Sequence, residues 1–371
     1  MSKKPKIAYL GIKGLPAKGG AERVVEGLVS YLNHDYDLYV YCSRFYSRDF
    51  VSKSAHLIKI RHLPGKYLHS STLYLLSAIH VLFSGRYDLI HIHNSDAGFI
   101  VPLLRLRYRT VLGTCHGYPY KMAKWGKKAK LFLRISECLF IRFSFAVTCV
   151  SKTISNELRS KYGGKITFIP NGIEQIERLP SPARNHNYDY LPNKDFICFA
   201  AGRIDPTKGC HILLKALSKI KTETKCVIIG DFSQNPEYSK ALFRMASQDQ
   251  VTFLPFIEDR YELFEIIRKS KIFVFPSAAE AMSVMLLEVA AIGIPIICSD
   301  ISENKDVLEE HAVYFKTDDS LDLAKKIDFV FANDAIHLDN AQKTKSWLLE
   351  TYNWLTVSRS YASLYDSIIR K

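Results

Sequence analysis

Short apolar runs alternate along this chain with longer stretches whose apolar residues recur every three or four positions. Lys6–Leu10 reads as a strand, Gly11–Gly20 as a glycine-rich loop, and Ala21–Leu32 as a helix with Val24, Val25, Leu28, Val29 and Leu32 on one face. Asp37–Cys42 and Leu89–His93 read as further strands. This β-α-β alternation predicts a parallel sheet covered by helices on both faces. Turn chemistry at Pro170-Asn171-Gly172 interrupts it, and Leu179–Asn193, rich in Pro, Asn, Arg and Tyr, reads as a linker or surface excursion. The pattern then restarts. Phe196–Ala201, Cys226–Gly230, Lys271–Phe275 and Ile294–Ser299 read as strands and Gly209–Ile220 as a helix. The expected fold class is α/β, with two Rossmann-like domains facing each other across a cleft.

Composition narrows this little. A length of 371 residues suits two domains, and 47% hydrophobic with 24% charged residues excludes a disordered or collagen-like chain. Charge says more. The net is +14, but residues 1–170 hold 27 basic and 9 acidic side chains, so the excess lies in the first half and the second half is slightly acidic. A basic half points to an anionic partner: a phosphate-bearing ligand, nucleic acid or a membrane surface. The apolar run in Met1–Leu10 is too short for a signal peptide. The longest apolar stretch, Thr72–Phe83, contains His80 and falls short of the roughly 20 residues of a membrane span, so a cytosolic protein is expected. Eight cysteines without a CxxC pair read as reduced, mostly buried thiols.

Open parallel sheets bind ligands outside the carboxyl ends of their strands, so the loops that follow strands are where chemistry is sought. The first, Gly11 to Glu22, has glycines that admit close backbone approach and a following helix whose free N–H groups favour an anion; alone it is equally a tight turn. The second, Gly202-Arg203-Ile204-Asp205-Pro206-Thr207-Lys208-Gly209, places Arg203 and Lys208 where both reach one diphosphate, unless they are simply solvated. The third runs from Pro276 to Pro295. There Met285–Ile292 is apolar all round except Glu288, a carboxylate that needs a partner or a hydroxyl-rich ligand, and Glu280 lies just before a helix whose first N–H groups suit phosphate. Their alternatives are an internal salt bridge for Glu288 and a helix-start carboxylate for Glu280. His91-Ile92-His93 puts two imidazoles on one strand face, a metal pair or, more simply, a structural or cleft-lining pair. Asp35-Tyr36-Asp37 is formally DxD but sits between a helix and a strand, as a turn does. Arg105–Lys165 interleaves 14 basic and 2 acidic residues with aromatics, which suits an anionic bilayer or else a solvated basic helix face. No recognition motif for nucleic acid accompanies this charge.

Glu280 and Glu288 form an E-x7-E pair within PSAAEAMSVMLLEVAAIGIPIICSD. Together with GRIDPTKG, GLPAKGGAER, TCHG at 114–117 and PNGI at 170–173, the chain resembles glycosyltransferase family 4 along essentially its whole length, nearest to bacterial surface-polysaccharide enzymes including rhamnosyltransferase-like members. The resemblance implies a GT-B fold and a retaining, metal-independent transfer from a nucleoside-diphosphate sugar. It implies an acceptor-side domain over 1–170, a nucleotide-sugar-binding domain over 171–350, and a C-terminal helix over 351–371 returning to the first domain. Gly19 and Gly20 would approach the donor's phosphates and the acceptor, Arg203 and Lys208 would neutralise the diphosphate, and Glu288 would accept from the ribose. Glu280 would hold sugar hydroxyls beside the backbone N–H groups of Met282, Ser283 and Val284, and His116 would reach across the cleft to the donor sugar. Ala281-Met282-Ser283 departs from the glycine-bearing triplet usual at that point. The implied partners are a nucleotide sugar, a polyprenyl-diphosphate-linked glycan acceptor and the inner face of the cytoplasmic membrane, with no cofactor. Two competing functions remain: a sugar-nucleotide epimerase of the same shape, and a polyanion-binding protein on a degenerate transferase scaffold.

Overall fold

The computed structural model describes residues 3–65, 68–121, 125–164, 166–174, 191–192 and 195–370; the expected linker over 179–193 lies almost wholly outside them. The chain forms two compact units, Met1–Gly172 with Trp354–Lys371, and Ile173–Asn353.

The first unit runs β1 (Lys6–Leu10), α1 (Gly20–Leu32), β2 (Asp37–Ser43), β3 (His56–Ile60), α2 (Leu68–Ser84), β4 (Leu89–His93), α3 (Val101–Leu104), β5 (Val111–Cys115), α4 (Lys127–Phe143), β6 (Ala146–Cys149), α5 (Lys152–Tyr162) and β7 (Ile166–Phe168). Its seven strands are all parallel, in the order β3-β2-β1-β4-β5-β6-β7. The five apolar residues that mark one face of α1 are all buried, packed in one core with Ile7 and Tyr9 of β1.

The second unit runs β8 (Ile197–Ala201), α6 (Cys210–Leu217), β9 (Cys226–Gly230), α7 (Pro236–Met245), β10 (Val251–Leu254), α8 (Arg260–Lys269), β11 (Ile272–Phe275), α9 (Val284–Ile292), β12 (Ile296–Ser299), α10 (Ser302–Leu308), β13 (Val313–Phe315), α11 (Ser320–Ala332) and α12 (Asp334–Thr351). Its six strands are parallel, in the order β10-β9-β8-β11-β12-β13. Strands β8, β9, β11 and β12 are buried at every position, which is why they read as unbroken apolar runs rather than alternating ones. The helix expected over Gly209–Ile220 is shorter, Cys210–Leu217, because Gly209 sits at φ +71 outside it and Ser218 caps its end.

The last helix, α13 (Trp354–Ile369), belongs to the first unit. It packs against α1 and buries Trp354, Val357, Tyr361, Tyr365 and Ile368 in the same core. All eight cysteines are free thiols and seven are buried. Among the described residues no helix is long and apolar enough to cross a membrane.

Candidate functional site

In each sheet the strand order reverses between two central neighbours, β1 and β4 in one and β8 and β11 in the other, and a glycine locks the loops that meet there. Gly11 has φ +85, and a Cβ on it would collide with the carbonyl oxygen of His93 at the end of β4; Asn94 Nδ2 donates to Gly11 O at 3.0 Å. Gly209 has φ +71, and a Cβ on it would collide with the carbonyl oxygen of Pro276 just after β11; Ala278 N donates to Thr207 O at 2.8 Å. Only glycine meets both demands, the left-handed backbone and the close approach.

That closeness brings Lys208 to Glu280. Lys208 Nζ lies 2.5 Å from Glu280 Oε1, and both side chains are largely shielded from solvent. Arg203 on the same loop pairs with Asp205 at 3.0 Å, while Asp205 also accepts from Thr207 N at 3.0 Å and so caps the short turn Pro206–Lys208. Both cations of the loop therefore have carboxylate partners. Next to them α9 begins, with Ser283 as its cap, its Oγ accepting from Leu286 N at 3.3 Å. Met282, the middle residue of the unusual triplet, is buried at 7% exposure, while Ala281 and Ser283 on either side are half-buried.

Glu288 does not join that pair. It is buried on α9 and ion-paired with Arg260, the first residue of α8. Arg260 was not singled out from the sequence. The signal available was a basic residue opening a helix right after the loop that leaves β10.

In the first unit the loop after β1 is held by side chains. Glu22 and Glu26 of α1 accept from Lys13 N and Ala17 N, each at 3.2 Å, while Ser47 Oγ accepts from Leu15 N at 3.1 Å and Tyr46 Oη from Lys18 N at 2.8 Å. A Cβ on Gly19 would meet only the Glu22 carboxylate, and one on Gly20 would enter open space. Gly20 opens α1, so this open space lies at a helix N-terminus.

His116 follows β5 directly and is part-buried, with its Nε2 2.9 Å from His93 Nδ1 and the two rings stacked. His91 is fully buried, with Nδ1 at 2.8 Å from Tyr365 Oη and Nε2 at 2.6 Å from Thr114 Oγ1. Thr114 in turn meets Thr148 Oγ1 at 2.6 Å, and Tyr9 Oη meets Tyr365 Oη at 3.1 Å. Burial pushes His91 and His93 well below the ordinary histidine pKa and His116 down to about 3, so all three imidazoles are neutral. With both ring nitrogens of His91 engaged inside the protein, His91 is a structural element. Among the described residues no three His, Cys, Asp or Glu side chains group as a metal site. Asp35-Tyr36-Asp37 is a turn into β2, with Tyr36 Oη donating to Asp366 of α13 at 2.7 Å.

Two family models cover most of the chain: "Glycosyltransferase Family 4" matches residues 18–175 and "Glycosyl transferases group 1" matches residues 184–347. The chain belongs to glycosyltransferase family 4. This family 4 enzyme is 23% identical to the N,N'-diacetylbacillosaminyl-diphospho-undecaprenol alpha-1,3-N-acetylgalactosaminyltransferase of Campylobacter jejuni, over 87% of this chain and 78% of that one. It is 21% identical to the O-antigen biosynthesis glycosyltransferase WclY of Escherichia coli, over 77% and 81% of the two chains. Its fold is GT-B. Anabaena HepE, solved in complex with UDP-glucose, superposes with a TM-score of 0.79 at 18% identity over 98% of this chain and 99% of that one. Of the residues marked out by the family 4 resemblance, Lys208 and Glu280 are in direct contact, Met282–Val284 lead from Glu280 into α9, and Glu288 is paired with Arg260.

Proposed function

We propose that this enzyme is a retaining glycosyltransferase that moves a sugar from a nucleoside diphosphate to a polyprenyl-diphosphate-linked glycan at the inner face of the cytoplasmic membrane, in cell-surface polysaccharide synthesis. The observation that carries the reading is the contact of Lys208 with Glu280 at the strand ends of β8 and β11, beside the N-terminus of α9. Glycosyl transfer develops negative charge on the departing diphosphate. Lys208, Arg203 and the first N–H groups of α9, with those of Met282, Ser283 and Val284, stabilise that charge, and the reading takes no metal. Donor binding draws Lys208 from Glu280 to phosphate and frees Glu280 for sugar hydroxyls, while Glu288 accepts from the ribose. Gly19 and Gly20 leave room for phosphate and acceptor, and His116 hydrogen-bonds the transferred sugar. Retention follows from attack on the face of departure, with a phosphate oxygen taking the acceptor's proton; no side chain serves as nucleophile.

The activities named for the relatives support the donor and acceptor classes. The surface of the first unit supports the membrane. On α4, Leu131, Phe132 and Ile135 are exposed among exposed Lys127, Lys128 and Arg134, and α2 exposes Leu75, Leu76, Ile79 and Phe83. Of the two acids between Arg105 and Lys165, Glu137 is buried against Lys161 and Tyr162, and Glu157 accepts from Tyr118 Oη at 2.7 Å. The exposed face of α4 is basic and apolar, which suits anionic lipid at about 1 kcal/mol per cation.

The test is a transfer assay with a panel of nucleotide sugars and a polyprenyl-diphosphate sugar in anionic or neutral vesicles. Expected are nucleoside diphosphate release only with acceptor present, a product of retained anomeric configuration, activity in EDTA, loss of a hundredfold or more in kcat/KM for Lys208→Ala, and flotation with anionic vesicles alone. Donor epimerised without acceptor, or full activity in Lys208→Ala, refutes the reading.

A further inference from the structure

His93 is fully buried, and its two ring nitrogens differ. Nδ1 is 2.9 Å from His116 Nε2, whereas Nε2 has no hydrogen-bond partner among the described residues. In a neutral imidazole one nitrogen carries the proton and the other a lone pair. If His93 carried its proton on Nε2, a buried N–H would be left unpaired. If the proton is on Nδ1, only a bare lone pair is unpaired. Orphaned buried donors are rarer in proteins than under-used acceptors, and an unmade buried hydrogen bond costs about 1–3 kcal/mol. Charging the ring to satisfy both sides is opposed by burial, with His91 at 4.1 Å and His116 at 5.2 Å between ring centres.

We infer that His93 is a positioning residue that donates from Nδ1 to His116 Nε2 and thereby fixes His116 as its Nδ1–H tautomer, a hydrogen-bond donor. His116 Nε2 is then occupied and takes no proton from an acceptor. Its Nδ1–H, which has no protein partner among the described residues, is offered to a ligand oxygen. This deepens the transferase reading and rests on it for one point only, that the oxygen belongs to the transferred sugar. The sugar this donor selects carries an oxygen at that position, and an analogue deoxygenated there is a poorer substrate.

The tautomer is read directly by two-bond ¹H–¹⁵N correlation on protein labelled with ¹⁵N-histidine, the His116 signals being assigned by their loss in His116→Gln. The expected spectrum has His116 protonated at Nδ1 and bare at Nε2. In His93→Leu that preference is lost, and in His93→Asn, which keeps an N–H near the position of Nδ1, it returns. Transfer by His93→Leu is expected to fall about tenfold or more in kcat with KM for the donor changed less, and to be rescued by His93→Asn. A His116 protonated at Nε2 in the unaltered enzyme overturns the inference whether or not any donor is turned over, and so does a tautomer unchanged in a folded His93→Leu. If the spectra are as expected and no donor is turned over, the positioning role stands and the transferase reading is what fails.

Discussion

Arg260 and Glu288 are the residues whose fates are most tightly bound. Glu288 is the one charged side chain on a helix that is buried from Leu286 to Ile292, and Arg260 is its counter-ion. Removing one partner of such a pair leaves an uncompensated buried charge, which costs about 3–5 kcal/mol, whereas removing both costs much less. Arg260→Leu should therefore lower the urea midpoint strongly, and adding Glu288→Gln should restore a large part of it. An Arg260→Leu protein as stable as the parent would show that the pair carries no such charge coupling. At this scale the sequence was legible for residue type and silent on partnership. A lone Glu in Met285–Ile292 announces that something must meet it, but its partner lies 28 residues away, and the partner of Lys208 lies 72 residues away. No local period encodes such distances. The same holds for His93, whose role depends on a ring nitrogen that only the fold leaves unpaired.

At the scale of elements, the loops that leave β1 and β8 owe their course to Gly11 and Gly209. Gly209→Ala must take up a left-handed backbone at about 1–2 kcal/mol and also push against the Pro276 carbonyl. The expected loss is about 2 kcal/mol or more in denaturant unfolding, with weakened donor binding because Lys208 moves off Glu280. An Ala variant of parental stability and donor affinity would show that the loop relaxes freely. The central strands with both faces buried were legible as apolar runs. The hydrophobic pattern passed over all four edge strands, β3, β7, β10 and β13, whose partly solvated residues blur the apolar signature. It also passed over β5 and β6, for a different reason. Gly113, Thr114 and Thr148 look unlike core residues, yet Gly113 is the place where the Phe140 ring of α4 comes close, and the two threonines join the hydrogen bonds around His91.

For the molecule as a whole, the buried imidazoles make stability depend on pH. His91 and His93 stay neutral in the folded protein but take up protons in the unfolded chain below about pH 6.5, so the unfolded state binds more protons as pH falls and stability declines. Each group contributes a slope of about 1.4 kcal/mol per pH unit there, so the pair steepens the decline by about 2.7 kcal/mol per unit. Urea midpoints between pH 7.5 and 5 should fall accordingly, and a double variant, His91→Gln with His93→Asn, should have a lower but flatter profile. An equally steep profile in that variant would place the acid sensitivity elsewhere.

The return of α13 to the first unit also has a temporal side. Trp354, Val357, Tyr361, Tyr365 and Ile368 complete a core whose other buried members were made before Gly172, and the whole of Ile173–Asn353 is translated in between. At about 5–20 residues per second, the nascent first unit waits on the order of ten seconds or more with that core open, while the second unit already has every strand it needs. On the ribosome the second unit to be made is thus the first that is able to finish folding, and a message truncated shortly before the codon for Trp354 yields one finished unit and one exposed apolar face, the kind of product that holdase chaperones bind and proteases clear.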